Sequence, residues 1–464
     1  MRVRLPHPLV LLFACVLVAA ALSWVLPAGQ YDRRDDPATG RSVVVPGTYH
    51  RVAPKPVGPF QALVAIPKGL EAAADVVFLV FLVGGAFTVV EQTGAMRSGV
   101  ARLVVLLARR ETWVIPIACL AFALGGLLEN MQEEIIAFVP LLLLLTRQLG
   151  FDPLTAVAMS VGSAAVGAAF SPVNPFQVQI AQKLAQLPPG SAAGFRLVFL
   201  ALALLLWIWA TTRHAARVRA RLVPLAETGV PSTVVLHGST IAPDDPPDAA
   251  PARLDGRHAT ILLLVVASFA MLVVGLQVLG WGFDELSALF LAMGVAAGLI
   301  AGLGVSGTAE AFVDGFRGMA SAALLVGLAR AISVVLEQGQ ILDTLVHGLF
   351  TPLAGLPVAA GAVAMMGAHA LVHVPVPSVS GQAVLTMPLL VPLSDLIGLS
   401  RQVTVLAYQT GAGLTELITP TNGALMAVLL AAGVPYSRWL RFALIGAALG
   451  LLVGIAGILA VQAF

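Results

Sequence analysis

The stretch SPVNPFQ, residues 171–177, places a hydroxyl, two prolines and an asparagine inside a segment that is otherwise apolar. A second stretch, TPTNGAL at residues 419–425, has the same pattern, and its asparagine lies 248 residues after the first. The 464-residue chain contains three asparagines, Asn130, Asn174 and Asn422. The repeated use of so rare a residue indicates that both stretches perform the same task.

The composition of the chain predicts an all-α, polytopic membrane protein. Apolar residues make up 58% of the chain and charged residues 11%, whereas ordinary soluble domains have about 25% charged residues. Repeated apolar runs approach the length that a helix needs to cross a bilayer, and they predict about 13 spans. The span at 96–109 is short and contains Arg102, and the first span, 8–27, is predicted to be retained rather than cleaved as a signal peptide.

Two transmembrane halves, residues 1–212 and 258–464, are joined by a polar linker at 213–257. The linker begins with four arginines, so the positive-inside rule predicts that it is cytoplasmic, as is the N-terminus. Each half contains an apolar segment with a proline in its middle, at about 130–147 and about 377–397. These segments predict re-entrant hairpins rather than full crossings.

Proline and glycine recur at the same spacing as the asparagines. Pro140 and Pro388, and likewise Gly150 and Gly398, lie 248 residues apart. This recurrence predicts an internal duplication. Because one additional span, at 284–304, begins the second half, the two copies are predicted to have opposite topology. Inverted repeats that each contain a hairpin and an interrupted helix are typical of secondary transporters.

The interrupted helices, predicted at about 153–187 and about 401–433, are the expected binding site. Proline breaks helical hydrogen bonding, and free carbonyls at bilayer depth are tolerated only inside protein or against a cavity. Such a break offers oxygens to a cation and helix N-termini to a carboxylate. The alternative is a pair of kinks that serve packing alone. The candidate residues are Ser171, Asn174, Pro175, Glu416, Thr419, Thr421, Asn422 and Gly423.

The tips of the predicted hairpins supply a second set of polar candidates. Glu129 and Glu133 lie four residues apart on one helical face beside Asn130, and ionisable residues in a membrane segment are functional candidates by default. The alternative is that these glutamates lie in the headgroup region. The candidates in the second hairpin are Ser378, Ser380, Gly381 and Gln382.

No resident metal or cofactor is predicted. His369 and His373 lie one helical turn apart, but there is no HExxH motif and no third ligand at suitable spacing. A core or proton-relay role is therefore favoured over zinc binding. A transported coupling ion is expected instead, with two alternatives: Na⁺ near the loops of Asn174 and Asn422, or H⁺. No basic stripe predicts a nucleic-acid partner.

Several segments together resemble the YfcC-like carriers, which belong with the anaerobic four-carbon dicarboxylate carriers and the arginine/ornithine antiporters in the ion-transporter superfamily. They include GGAFTVVEQTGAM, SPVNPFQVQIAQ and TPTNGALMAVL. The resemblance implies inverted repeats, two re-entrant hairpins, an elevator movement and a homodimer formed through the scaffold. By position, the polar motif residues of that family correspond to Asn174, Pro175, Ser378, Ser380, Gly381, Gln382, Thr421 and Asn422.

The predicted function is secondary active transport of a small charged organic metabolite across a bacterial plasma membrane. An acidic site rich in amides and hydroxyls favours an amino acid, including a basic one, or a small peptide. The alternative is a four-carbon dicarboxylate, although that substrate would be expected to require nearby Arg or Lys. An intramembrane enzyme built around His373 and Glu416, or around the Glu129–Glu133 pair, has no supporting catalytic motif. A passive channel is a third hypothesis.

Overall fold

A computed structural model describes residues 7–36, 41–96, 98–99, 113–188, 190–227, 255–279 and 281–463. These residues form a mostly helical protein. Seven of the described helices are long and apolar enough to cross a membrane, by length and composition alone, and five shorter apolar helices accompany them. The predicted helical membrane class is thus confirmed. Most of the predicted span at 96–109 and most of the linker lie outside the described residues.

The first half contains eight labelled helices and four short strands in its described part. They are α1 (Pro8–Val25), β1 (Gly29–Gln30), β2 (Arg33–Asp36), β3 (Arg41–Val44), β4 (His50–Arg51), α2 (Pro59–Ala72), α3 (Ala74–Gln92), α4 (Val114–Glu129), α5 (Ile135–Gln148), α6 (Pro153–Ala169), α7 (Ile180–Leu184) and α8 (Ala193–Glu227). Helix α6 contains a π-helical turn at Ala158–Gly162, and a second π-helical turn, Pro175–Gln179, precedes α7. Helix α8 continues past residue 212 into the region predicted as linker.

The second half is helical throughout its described part. Its elements are α9 (Gly256–Val274), α10 (Phe283–Ala301), α11 (Gly304–Gln338), α12 (Leu342–Phe350), α13 (Val358–His373), α14 (Val379–Ile397), α15 (Arg401–Thr415), α16 (Gly423–Ala431) and α17 (Tyr436–Ala463). A π-helical turn at Gly275–Leu279 follows α9, and a 3-10 turn at Thr351–Gly355 follows α12. The long helix α11 packs against α1, α2, α3 and α16.

The predicted hairpin segments have a different extent in the structure. Residues 135–148 form the single helix α5, and residues 379–397 form the single helix α14, with Pro140 and Pro388 inside them. The chain turns within the polar stretches predicted for the hairpin tips: at Asn130, which has a left-handed φ of 56°, and at Ser378, whose side chain caps α14. The first helical hairpin therefore consists of α4 and α5, and the second consists of α13 and α14. The sequence predicts the first helix of each pair, α4 or α13, as a separate membrane span.

Helices α6 and α15 begin in the same way. Gly150 and Gly398 precede them with left-handed φ angles of 73° and 74°, which glycine adopts without steric cost. The side chain of Asp152 then accepts the backbone N–H of Thr155 at 3.1 Å, and Ser400 caps α15 by the corresponding bond. Such N-caps satisfy backbone donors that a helix start leaves free.

Each of these helices is in close contact with the first arm of a hairpin. A Cβ atom at Gly126 in α4 would lie 1.9 Å from the carbonyl oxygen of Ala164 in α6. A Cβ atom at Gly411 in α15 would lie 2.3 Å from the carbonyl oxygen of Met366 in α13. Both distances are far below van der Waals contact, so glycine is required for the backbones to approach. This packing holds the hairpins against the interrupted helices.

The strands form two antiparallel pairs, β1 with β4 and β2 with β3. Strand β1 leads into Tyr31, whose backbone N–H donates to the Asp343 carboxylate of α12 at 3.0 Å. Strand β3 packs against α14, and Val44 is buried in the same apolar cluster as Leu385 and Leu390. The polar excursion after α1 therefore contacts both α12 and the second hairpin.

Candidate functional site

The first helix break, residues 170–174, lies between α6 and the π-helical turn. The Asn174 Oδ1 accepts the backbone N–H groups of Phe176 and Gln177, both at 3.0 Å. Its Nδ2 donates to the carbonyl oxygen of Gly126 in α4 at 2.9 Å. Asn174 is fully buried. Its amide therefore caps the helical segment after the break and attaches the break to the first hairpin.

A buried amide network surrounds this break. The Ser171 hydroxyl donates to the Leu127 carbonyl oxygen at 2.6 Å, so it also attaches the break to α4. The Gln409 side chain of α15 donates to the Ser171 carbonyl oxygen at 2.6 Å, and the Gln177 side chain donates to the Gln409 carbonyl oxygen at 3.0 Å. The bond from Gln409 satisfies the Ser171 carbonyl, which the break leaves without a helical partner, and the other two bonds attach the break to α4 and α15.

Arg196 is the buried cation next to this network. Its side chain is 1% exposed, and its guanidinium donates to Gln409, Gln402 and the Ser191 carbonyl oxygen at 3.1, 3.2 and 2.6 Å. All three acceptors are uncharged. Neither Arg196 nor Gln409 was among the predicted site residues, although an arginine inside an apolar run is itself a signal of function.

The second break, residues 416–422, lies between α15 and α16. The Asn422 Oδ1 accepts the backbone N–H of Leu425 at 3.1 Å, and its Nδ2 donates to Gln132 and to the Glu416 carbonyl oxygen at 2.8 and 3.3 Å. The Thr421 hydroxyl donates to the Val374 carbonyl oxygen, directly after α13, at 2.6 Å. The second break is therefore attached to both hairpins.

A cluster of buried ionisable and amide side chains lies at this break. The Glu416 carboxylate is 6% exposed and accepts a hydrogen bond from the Gln132 amide. The Nε2 of His373 lies 3.7 Å from the Glu416 Oε1. The Gln382 amide joins His373 to His369, with distances of 2.9 Å to His373 Nδ1 and 3.1 Å to His369 Nδ1. Gln132 was not predicted, and its only signal was its place between the predicted Asn130 and Glu133.

The remaining predicted residues take several positions. Asn130 ends α4 and its buried Oδ1 has no hydrogen-bond partner among the described residues, while Glu133 lies half-buried in the same turn. Ser378 caps α14 by accepting the Gly381 N–H at 3.2 Å, and Ser380 is half-buried in its first turn. Thr419 is buried, and its hydroxyl lies 2.7 Å from that of Thr421. Gly423 begins α16 and packs against α11. Pro175 begins the second π-helical turn, and Glu129 is the last residue of α4.

The described residues place no group of three His, Cys, Asp or Glu side chains where it could hold a metal ion. The side-chain oxygens of both motif asparagines accept backbone N–H groups, and the Asn174 Oδ1 accepts two. An amide oxygen has two lone pairs, so the Asn174 Oδ1 is saturated by the helix that it caps.

Helix breaks that surround buried polar side chains are typical of membrane transporters, and seven of the described helices are long and apolar enough to cross a membrane. The family described as C4-dicarboxylate anaerobic carrier, DcuC, matches residues 5–463. The chain belongs to this family, which confirms the resemblance noted in its motifs. It is a transporter and not an enzyme.

Two curated relatives match along nearly their whole length. The chain is 31% identical to the "putative basic amino acid antiporter YfcC" of Escherichia coli K12, covering 95% of this chain and 93% of that protein. It is 28% identical to an uncharacterized protein of Haemophilus influenzae, covering 94% and 93%. Two solved structures of transporters also match, each with 18% identity and over 98% of this chain. The YdaH transporter of Alcanivorax borkumensis has a TM-score of 0.43, and 98% of it is covered. MtrF of Neisseria gonorrhoeae, from a class of antimetabolite efflux pumps, has a TM-score of 0.39, and 94% of it is covered.

Proposed function

We propose that this protein is a secondary active transporter of an amino acid, preferentially a basic one, or of a small peptide, coupled to a cation gradient or to counter-substrate. The observation that carries the proposal is the buried carboxylate of Glu416. Its basic partner in the described part of the chain is a histidine, not a lysine or arginine. A buried carboxylate without a fixed cation is costly, and a substrate amino or guanidinium group would offset that cost.

The relatives support the same substrate class. The Escherichia coli relative carries the name of a basic amino acid antiporter. Amide side chains and a helix N-terminus at each break offer hydrogen bonds to the carboxylate end of an amino acid without a basic side chain. A site with an acidic region and capped helix starts therefore suits a molecule that carries charges of both signs.

Transport of a four-carbon dicarboxylate is the second candidate function. Arg196 favours it, because this buried guanidinium makes its three hydrogen bonds to uncharged acceptors. A substrate carboxylate in contact with Arg196 would form a charge-assisted, bidentate pair. The family description, which names C4-dicarboxylates, points in the same direction.

The proposal includes two inverted repeats that move against a scaffold in an elevator cycle. In its support, hydrogen bonds recur at the same spacing of 248 residues: Asn174 to Gln177 and Asn422 to Leu425. A homodimer formed through the scaffold, a bacterial inner-membrane location and a cytoplasmic N-terminus complete the proposal. Excess arginine at the start of the linker supports this orientation.

The test is uptake and counterflow in proteoliposomes that contain the purified protein. Arginine, ornithine, a neutral amino acid, a dipeptide and succinate are each supplied with and without Na⁺ or a pH gradient, and liposomes without protein are the control. We expect saturable uptake and exchange of an amino acid or peptide. Succinate exchange without amino-acid transport would support the dicarboxylate alternative, and single-channel conductance would contradict a carrier.

A further inference from the structure

We infer that the facing atoms of Glu416 and His373 form a proton-binding site, and that the coupling ion of transport is H⁺. The coupling role rests on the proposed transport function, whereas the proton site does not. The argument uses hydrogen-bond partners whose donor or acceptor character is fixed by the backbone. These partners determine which atom of each amide and each imidazole faces the gap between Glu416 and His373.

The orientation of the Asn422 amide is fixed first. Its Oδ1 faces the backbone N–H of Leu425, which can only donate, and its Nδ2 faces the Glu416 carbonyl oxygen, which can only accept. The Nδ2 therefore donates to Gln132 Oε1 at 2.8 Å. The Nε2 of Gln132 is consequently the group that donates to Glu416 Oε2. Any proton bound by the Glu416 carboxylate is thereby directed to the other oxygen, Oε1.

The tautomer of His373 follows from a second backbone group. The Gln382 Nε2 lies 2.9 Å from the His369 carbonyl oxygen, which can only accept, so the Oε1 of Gln382 is the atom that faces His373 Nδ1 at 2.9 Å. Nδ1 must therefore carry a hydrogen. In a neutral imidazole one nitrogen carries the hydrogen and the other has a lone pair. The Nε2 of neutral His373 thus presents a lone pair.

This lone pair faces Glu416 Oε1 at 3.7 Å in a buried place. His373 is fully buried and its Nε2 has no hydrogen-bond partner in the described structure. If Glu416 were ionised and His373 neutral, two buried acceptors would face each other, which is costly. One proton removes the conflict, either as a carboxylic acid that donates to Nε2 or as an imidazolium that donates to Oε1.

The remaining charged groups around the pair are few. Glu133, in the turn between α4 and α5, interacts electrostatically with Glu416, and Asp75 of α3 interacts with Glu133. Helix α13 contributes His369 beyond Gln382, and α14 contributes Gln382 itself, which is uncharged. Helix α16 has no ionisable residue in its sequence. The surrounding charge is therefore negative, and it favours uptake of a proton or of a substrate cation.

Proton binding also has a structural consequence. Hydrogen bonds between nitrogen and oxygen span 2.7–3.2 Å, so a proton shared by the pair would shorten the 3.7 Å separation. His373 is the last residue of α13, and Glu416 directly follows α15. Protonation would thus draw the second hairpin toward the break, and a substrate ammonium or guanidinium group that enters the gap would replace the proton. Competition for one carboxylate is a mechanism for exchanging H⁺ against a cationic substrate.

The test is pH-titrated infrared difference spectroscopy of the full-length protein in lipid membranes, with H⁺ as the probe. We expect a carboxylic-acid C=O band in the wild type that disappears on alkalinisation and is absent from Glu416→Gln. The matched control Glu310→Gln, at an exposed position of α11, should retain it. His373→Gln should move the loss of the band to lower pH, because the lone pair that faces the carboxylate is gone. Persistence of the band in Glu416→Gln would overturn the inference. So would a wild type that shows neither the band nor a titrating imidazolium signal that His373→Gln removes.

Arginine added at constant pH separates this inference from the proposed function. Loss of the band on arginine binding supports both. A titrating band that depends on Glu416 but does not respond to arginine supports the proton site and contradicts arginine as the substrate. Purified Glu416→Gln must elute as the wild type does in size-exclusion chromatography, and His373→Gln provides the second variant if it does not. In proteoliposomes, accumulation driven by Na⁺ and insensitive to a pH gradient would overturn H⁺ as the coupling ion.

Discussion

The first helix break, residues 170–174, and the second, residues 416–422, are built alike but carry different chemical groups. In each break the asparagine oxygen accepts the N–H three residues later, and a motif side chain donates to a carbonyl near the end of a hairpin's first arm. Those carbonyls belong to Gly126 and Val374, which are again 248 residues apart. The difference is a carboxylate: Glu416 takes the place that Ala168 has in the first half.

This comparison separates the residues that build a break from those that act in it. Backbone-directed bonds recur in both halves, so they account for the shape of the site. Glu416, His373 and Gln132 have no matching group 248 residues away and supply its chemistry: the corresponding positions are Ala168, Gly125 and Ser380. The first break instead lies beside Arg196, so the two breaks differ in the sign of the nearest buried charge.

The largest expected effect comes from removing the charge of the second break. Glu416→Gln keeps the size of the side chain and an oxygen that accepts the Gln132 hydrogen bond, but it cannot hold a proton or attract a cation. We expect transport in proteoliposomes to fall to the level of empty liposomes. Glu310→Gln should transport as the wild type does. Unchanged transport by Glu416→Gln would show that the chemical difference between the breaks has no role in function.

Removal of either asparagine should impair both breaks alike. Asn174→Ala and Asn422→Ala each delete an N-cap, which costs about 1 kcal/mol, and leave a buried partner unsatisfied, which costs about 1–3 kcal/mol. We expect loss of transport with retained membrane insertion, measured by uptake and by thermal unfolding. Asn174→Ser and Asn422→Ser, which keep a capping oxygen without adding a buried charge, are the matched controls and should recover the N-cap part of the stability. If one alanine variant transports normally, the breaks are not functionally equivalent.

Arg196 distinguishes the two substrate classes. Arg196→Gln removes donors to one buried and two partly buried acceptors, and we expect a loss of about 1–3 kcal/mol in the free energy of unfolding. For a dicarboxylate carrier this variant should also lose substrate affinity, whereas for an amino-acid carrier that uses Glu416 the Michaelis constant should change little. The Michaelis constant and the unfolding temperature are measured for the same variant. A raised Michaelis constant indicates contact with the substrate, whereas a lowered unfolding temperature alone indicates a structural role. Arg317→Gln, at an exposed ion pair on α11, is the control.

The smallest expected effect concerns the starts of the interrupted helices, α6 and α15. Burial alone would raise the pKa of Asp152, but hydrogen bonds from His214 and Thr155 hold that pKa below its ordinary value. A lowered pKa means that the ionised carboxylate stabilises the fold at neutral pH and that this contribution is lost as pH falls through the folded-state pKa. The destabilisation by Asp152→Ala, measured as a shift in unfolding temperature, should therefore shrink in acid.

Ser400→Ala is the matched variant at the start of α15. It should cost about 1 kcal/mol, the usual contribution of an N-cap, and this cost should not depend on pH because serine does not ionise. The same pH dependence in both variants would contradict the assignment of the effect to the Asp152 carboxylate.

The sequence predicted the helix breaks well because proline and asparagine determine local backbone geometry. It was less informative about the extent of the hairpins, since it predicts the apolar segments that contain Pro140 and Pro388 as whole hairpins. Both prolines lie within helices, as membrane helices tolerate when neighbours satisfy the freed carbonyl groups. The chain turns at Asn130, through its left-handed conformation, and at Ser378, through its capping oxygen. Both residues belong to the polar stretches predicted for the hairpin tips.

Which candidate residues meet could not be read from the chain. Gln132 and Glu416 are 284 residues apart, and their contact depends on how α5 and α16 pack. Arg196 lies near the start of a predicted span, where an arginine is equally compatible with the headgroup region. Burial depth decides between these cases, and it is a property of the packed bundle. Contacts between distant residues and the burial of single side chains therefore could not be predicted, because both depend on tertiary packing.

The strands β1–β4 and β2–β3 have a mechanical consequence. They are anchored to α12 through Tyr31 and Asp343, while β3 rests on α14, the second arm of the hairpin whose first arm ends at His373. Any displacement of α14 relative to α12 must stretch or detach this bridge. In the proposed elevator cycle the strands would therefore act as a short tether on the movement of this hairpin. A nanobody that clamps the β2–β3 pair to α12 should stall exchange while leaving the polar side chains of both breaks in place.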